Sequence, residues 1–160
     1  MSTGDKAMET GDSPTTSGNP VKQFSVMLEN RIGALHSMIN LLGSCGVYAL
    51  GFSVQDSFDV TILRLVVSDP EQLETFFMER GISHTVNDIV VIELKSGEDS
   101  LEKTLRALSN AETNIYVSYP LLVHPRDHSV LAISVDDPHF ACNALHSQGF
   151  KLLFQNDLSR

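Results

Sequence analysis

The chain has 160 residues, 42% hydrophobic and 19% charged, enough for one ordinary domain or two very small ones with a packed core. Eleven Lys and Arg stand against twenty Asp and Glu. The resulting net charge of -9 excludes the electrostatic footprint of a nucleic-acid binder and a basic patch for anionic lipid.

No apolar run approaches the ~20 residues that cross a bilayer, and the first twenty residues hold no apolar core of a secretory signal. A cytoplasmic protein is expected, with neither nucleic acid nor membrane as partner. Cys45 and Cys142 lie far apart beside apolar neighbours and are expected to be buried, reduced thiols.

Residues 1–20 are rich in Gly, Ser, Thr, Pro and Asp, with Met1 and Met8 the only large apolar side chains. Such a segment cannot offset its ordering entropy, and a disordered tail is predicted. Residues 22–29 place Phe24, Val26 and Leu28 on one face with period two, which predicts a strand. A polar turn, Asn30, Arg31 and Gly33, leads into a helix over 34–45. Its apolar face is Leu35, Met38, Ile39, Leu42 and Cys45, and Gly46 stops it.

Strands are predicted over 47–55 and 59–68, joined by a turn at Asp56-Ser57-Phe58. Asp69-Pro70 then reads as a cap followed by proline at the first helical position. That helix runs to about Arg80 and ends at Gly81.

The pattern repeats. Val67-Ser68-Asp69-Pro70 returns as Val135-Asp136-Asp137-Pro138, and at the same offset Leu63 meets Leu131, Leu65 meets Ile133, Phe77 meets Leu145 and Gly81 meets Gly149. Earlier in the unit the offset is two shorter: Leu35 meets Leu101, Ile39 meets Leu105 and Leu42 meets Leu108. The two extra residues of the second copy are assigned to the loop His124–His128, because surface loops tolerate insertion best. A cap, a proline, a terminating glycine and an apolar face in phase define a repeat.

The predicted fold class is α+β: two ferredoxin-like βαββαβ units with antiparallel sheets, packed side by side. The units span 21–87 and 88–160. The short stretch between Gly81 and Asp99 must supply the last strand of one unit and the first of the next, so no flexible linker fits. Asn87-Asp88 is read as a bend between 84–86 and 89–94.

The turn Asn30-Arg31-Ile32-Gly33-Ala34-Leu35, inside units of this plan, resembles the Asn-Arg/Lys-Pro-Gly-x-Leu motif of ACT domains, with Ile32 in place of the proline. The tandem resembles small proteins made of two ACT domains, over about residues 21–154. The resemblance implies a regulatory module that is not an enzyme and needs no cofactor. It would bind a small ligand, most often an amino acid, between two domains, and pair further into a homodimer. Without a catalytic unit attached, it would act on a separate partner or serve as a free sensor.

It also implies that one domain contributes its strand-to-helix turn and its neighbour the start of the second strand. Those second-strand positions are Tyr48 in the first copy and Asn114 in the second. The second copy's turn, Ser96-Gly97-Glu98-Asp99-Ser100-Leu101, has lost the asparagine and the glycine before the helix, and its carboxylates repel another. One competent site is therefore expected, built from Asn30, Arg31, Ile32, Gly33, Ala34 and Leu35 with Asn114.

The chemistry suits holding rather than reacting. A helix N-terminus offers unpaired N–H groups and partial positive charge to a carboxylate. Gly33 permits close approach, and Asn30 carries both donor and acceptor, to read a ligand or to cap the turn. Arg31 adds charge or points outward. His139, Cys142 and His146 share a helix face, but two turns separate the histidines, ~10.5 Å, too far for one tetrahedral zinc. No metal is expected. No Cys/His, Ser/His/Asp or paired-carboxylate set can be placed together. An RNA-binding sheet of this plan would want exposed aromatics and a basic surface. A purely structural oligomerisation module remains the alternative, favoured by the decay of the second turn.

Overall fold

In the computed structural model, residues 18–159 are described, and every structural statement below concerns them. Most of the predicted disordered tail, residues 1–17, lies outside that range. The carbonyl of Asn19 accepts a hydrogen bond from the Gln155 amide at 3.1 Å.

The predicted periodicities produce the expected elements. The first unit contains β1 (Val21–Leu28), α1 (Ala34–Ser44), β2 (Ala49–Asp56), β3 (Thr61–Val67) and α2 (Pro70–Glu79). β4 (His84–Leu94) follows, then α3 (Glu98–Asn110), β5 (Ile115–Pro120), β6 (Ser129–Val135), α4 (Pro138–Ser147), β7 (Leu152–Leu153) and α5 (Gln155–Leu158). The two Asp-Pro sequences behave alike. Asp69 accepts from the Gln72 amide at 3.1 Å and Asp137 from the Phe140 amide at 3.0 Å, each capping a helix that proline opens. The repeated apolar positions Leu63, Leu65 and Phe77, with Ile133 and Leu145, are fully buried.

All strands pair antiparallel in the order β2-β3-β1-β4-β6-β5, with β7 also on β4. Each unit thus has the strand arrangement of a split βαβ fold, and the two lie side by side through β4. The bend expected at Asn87-Asp88 is absent: β4 is one continuous strand. Its first half pairs with β1, from Val26↔His84 to Val21↔Ile89, and its second half with β6, from Val90↔Ile133 to Leu94↔Ser129. Asn87 and Asp88 stay extended because Gln23 and Lys22 face them across the ladder, and Lys22 pairs with Asp88.

Alternation along β4 sorts the core into three. Val86 packs with the helices of the first unit, and Val90 and Ile92 with those of the second. Ile89 and Val91 point to the opposite face, into an inner core with Val21, Leu50, Val66, Tyr119 and Leu153. The sheet curls around that core until its outermost strands meet. The Leu122 amide donates to the Leu50 carbonyl at 2.7 Å. A Cβ on Gly51 would come within 3.3 Å of the Leu121 Cα, so glycine is what lets β2 approach.

Polar bonds tie the units across this core. The Tyr119 hydroxyl donates to Gln23 Oε1 at 2.7 Å, both side chains being buried. After β7, α5 straps the chain back onto the first unit: Gln155 Nε2 donates to the Val67 carbonyl at 3.0 Å, and Ser159 Oγ to that of Ser68 at 2.7 Å.

Candidate functional site

The turn between β1 and α1 leaves a helix end without a partner for its charge. Gly33 is the N-cap of α1 at φ 84°, and no side chain caps the helix. Its first turn holds no acidic residue. The other long helices differ: α2 and α4 carry aspartate caps, and α3 begins with Glu98 and Asp99. Among the described residues, α1 is the long helix whose N-terminal field meets no carboxylate from its cap or first turn.

Asn30, Arg31, Ile32 and Gly33 are exposed, while Ala34 and Leu35 are partly buried against the core of the first unit. Ile32 is fully exposed. Arg31 Nε lies 3.0 Å from Glu29 Oε2, so its charge is already partnered on the turn itself. Asn30, Arg31, Gly33, Ala34 and Leu35 border an open cavity of about 170 Å³. Leu28, on the predicted face of β1, also lines it, with Glu29, His36, Val54 and Thr61, which were not singled out in the sequence. Val54 and Thr61 reach it through pairing of β1 and β2 with β3, which no local pattern reveals.

Asn114 does not join the turn within one chain. Its amide lies 3.3 Å from Asp136 Oδ1, and its carbonyl accepts from the Asp136 amide. The shared strand is the reason. The turn follows Leu28, beyond the pairing of Val26 with His84 at the start of β4. Asn114 precedes Ile115, the partner of Val135, two residues past the Ile133 that pairs with Val90 mid-strand. Sharing β4 offsets the second unit along the strand direction, separating the two positions by roughly 20 Å.

At the second turn, Ser100 Oγ accepts from the Ser96 amide at 2.9 Å and Lys103 pairs with Asp99 at 2.8 Å. Tyr48 is exposed and donates its amide to Ser68 Oγ at 2.9 Å. On α4, His139 lies 3.5 Å from Asn143, and Cys142 packs against the core of the second unit. Among the described residues no group of three or more His, Cys, Asp or Glu is placed to hold a metal ion. Cys45 and Cys142 are free thiols, half-buried rather than buried, because both helices keep one flank toward solvent. Burial pushes the Cys142 thiol up, and the nearby Asp88 adds to the shift. No helix among the described residues is long and apolar enough to cross a membrane.

Two split βαβ units on a shared strand, with an open helix N-terminus at the first strand-to-helix turn, define a tandem ferredoxin-like protein. The chain belongs to the ACT domain pair family, which matches it over residues 19–160. Among solved structures, protein BT0572 from Bacteroides thetaiotaomicron is similar, with TM-score 0.78 and 23% identity over 88% of this chain and 96% of that one. The ligand-free regulatory subunit of aspartate kinase from Thermus thermophilus aligns with TM-score 0.53 and 13% identity, over 83% of this chain and 95% of that one. Aspartokinase alpha and beta subunits align with TM-score 0.53 and 16% identity, over 82% and 96%. At these identities the likeness is one of fold. No curated protein sequence matches the chain.

Proposed function

We propose that this protein is a non-catalytic, cytoplasmic regulator that binds an amino acid at Asn30–Leu35. Membership in the ACT domain pair family supports a ligand-binding regulatory role. The observation that carries the site is the open N-terminus of α1, with no capping side chain and no acidic residue in its first turn. Its amides and field suit a ligand carboxylate. Asn30 reads the ligand's ammonium and carboxylate, and Gly33 lets the ligand approach the backbone. Arg31 serves through its bond with Glu29, which fixes the turn.

Because the offset along β4 keeps Asn114 from the turn of its own chain, the second half of the site comes from Asn114 of a second copy. The homodimer is then the functional unit, and its output passes to a separate protein. The competing reading, a structural pairing module, draws on the second turn, where carboxylates and serine fill what a ligand would take.

The test is a thermal-shift screen of the full chain against the twenty amino acids, confirmed by calorimetry. A ligand at 100-fold its Kd adds about 2.7 kcal/mol of stability. A hit lost in Asn30→Ala and in Asn114→Ala, and partly restored when the two variants are mixed, is the expected result. Mixing restores one intact site per heterodimer only if the halves come from different chains. A blank panel would favour the pairing module.

A further inference from the structure

A second cavity lies in the other unit, under the loop from β5 to β6. It has a volume of about 580 Å³ and is bordered by His124, Arg126, Lys151, Leu153, Asp157 and Leu158. The loop over it is built at a cost. Arg126 and Asp127 are consecutive non-glycine residues in the left-handed region, at φ 56° and 60°. Such backbone persists only where its surroundings impose it, and it concentrates at ligand-binding sites.

What imposes it is Glu93. This carboxylate sits on β4 with its side chain 1% exposed, facing the loop. It accepts from Arg126 Nη2 at 2.7 Å on one oxygen and pairs with His128 Nδ1 on the other. The guanidinium is anchored at one end, yet the Arg126 side chain is still 59% exposed, leaving donors free on the cavity side. Lys151 is exposed and makes no ion pair with another described residue, while its carbonyl accepts from the Glu93 amide at 3.0 Å. One buried residue thus bonds to both segments that carry the cavity's cations, the loop at Arg126 and the residue before β7 at Lys151.

We propose that this cavity is a ligand site for a small monocarboxylate with an apolar tail. The head group follows from charge. Arg126 and Lys151 border the cavity against one carboxylate, Asp157, whose Oδ2 already accepts from the Phe154 amide at 2.8 Å. Glu93 lies behind the wall, its charge spent on Arg126 and His128. Glu93 already offsets Arg126, so Lys151 is the lining cation with no ion pair among the described residues, and a single such charge favours a monoanion over a phosphate dianion. The tail follows from the floor: Leu153 and Leu158 are buried and continue into the inner core. In a chain of net charge -9, two of the eleven cations converge here. The site is separate from the α1 turn and stands whether or not amino acids bind there.

The test is an NMR titration of the ¹⁵N-labelled full chain with sodium hexanoate at constant ionic strength, with sodium acetate as the tail-less comparison. Saturable hexanoate shifts at Val123, His124, Arg126 and Lys151–Leu153 are expected, with the Asn30–His36 amides unmoved. Acetate should bind at least fivefold more weakly, and Lys151→Gln should weaken hexanoate by a similar factor. Lys151 is the residue to change because Arg126→Gln would strip a partner from buried Glu93. Equal binding in Lys151→Gln, equal binding of acetate, no saturable shift, or shifts at the α1 turn instead would each overturn the proposal.

Discussion

Gly33 carries two roles that its substitutions separate. It lies at φ 84°, and a Cβ built there meets nothing within 4 Å. Space is free, so the cost of Gly33→Ala is conformational, about 1 kcal/mol. Gly33→Asn should recover most of that, since asparagine tolerates left-handed backbone. If the glycine also admits a ligand to the amides of α1, both variants lose ligand while only alanine loses much stability. Calorimetric titration and thermal melts of the two variants read these separately, and an asparagine variant that binds normally would leave Gly33 a turn device. At this scale the sequence was informative where the cause is local. Asp-Pro opening a helix carries its geometry in adjacent residues, and so does a left-handed glycine before an apolar-periodic run, although the second turn, expected to have lost that glycine, keeps one in Gly97 at φ 57°, directly before α3. The pairing of Arg31 with Glu29 is equally local, but spacing alone does not choose between a partner on the turn and a ligand. The place of Asn114 was not legible at all, because it depends on how one unit is displaced against the other.

Elements differ in the same way. α2 declared itself by its Asp-Pro cap, and α1 by its helical period and the glycine that stops it. β7 and α5, two and four residues long, are too short to show any period, and they form because inner-core contacts and the bonds of Gln155 and Ser159 hold them. The loop before β6 matters most for pH. Burial raises the cost of charging Glu93, but hydrogen bonding from His128 and the charge and hydrogen bond of Arg126 outweigh it, holding the carboxyl below its ordinary value of 4.5. A carboxyl with a lowered folded pKa contributes stability that is fully present above the unfolded value and is lost as pH falls through the folded one. The melting temperature should therefore fall as the pH drops below the ordinary carboxyl value of 4.5, and fall less in Glu93→Gln, which has no charge to lose. Parallel pH profiles for the two proteins would show that the Glu93 pairs add nothing.

Across the whole molecule, three cores meet at β4, and neither unit is complete without the strand it shares. The inner core, the Tyr119–Gln23 bond and the α5 strap join the two units. A single cooperative melting transition is expected, with calorimetric and van't Hoff enthalpies equal. Two resolved transitions would mean that the units fold separately. The internal repeat revealed two units and left no room for a linker, which are statements about spacing. It did not reveal the shared strand. Asn87 and Asp88 are turn formers by composition, and the residues that keep them extended, Gln23 and Lys22, lie more than sixty positions away in the chain.

An unbroken strand also imposes a parity rule on the boundary. Even positions of β4 serve the two helix-covered cores and odd positions the inner one, so the four long helices lie on the same side of the strand. One residue inserted after Asn87 would exchange the two sets downstream, turning Val90 and Ile92 inward and the second unit inside out relative to the first. Two residues would keep every side chain on its face and slide the units apart by about 7 Å. The single insertion should abolish the melting transition and the double insertion should lower it, so the seam can change length only in steps of two.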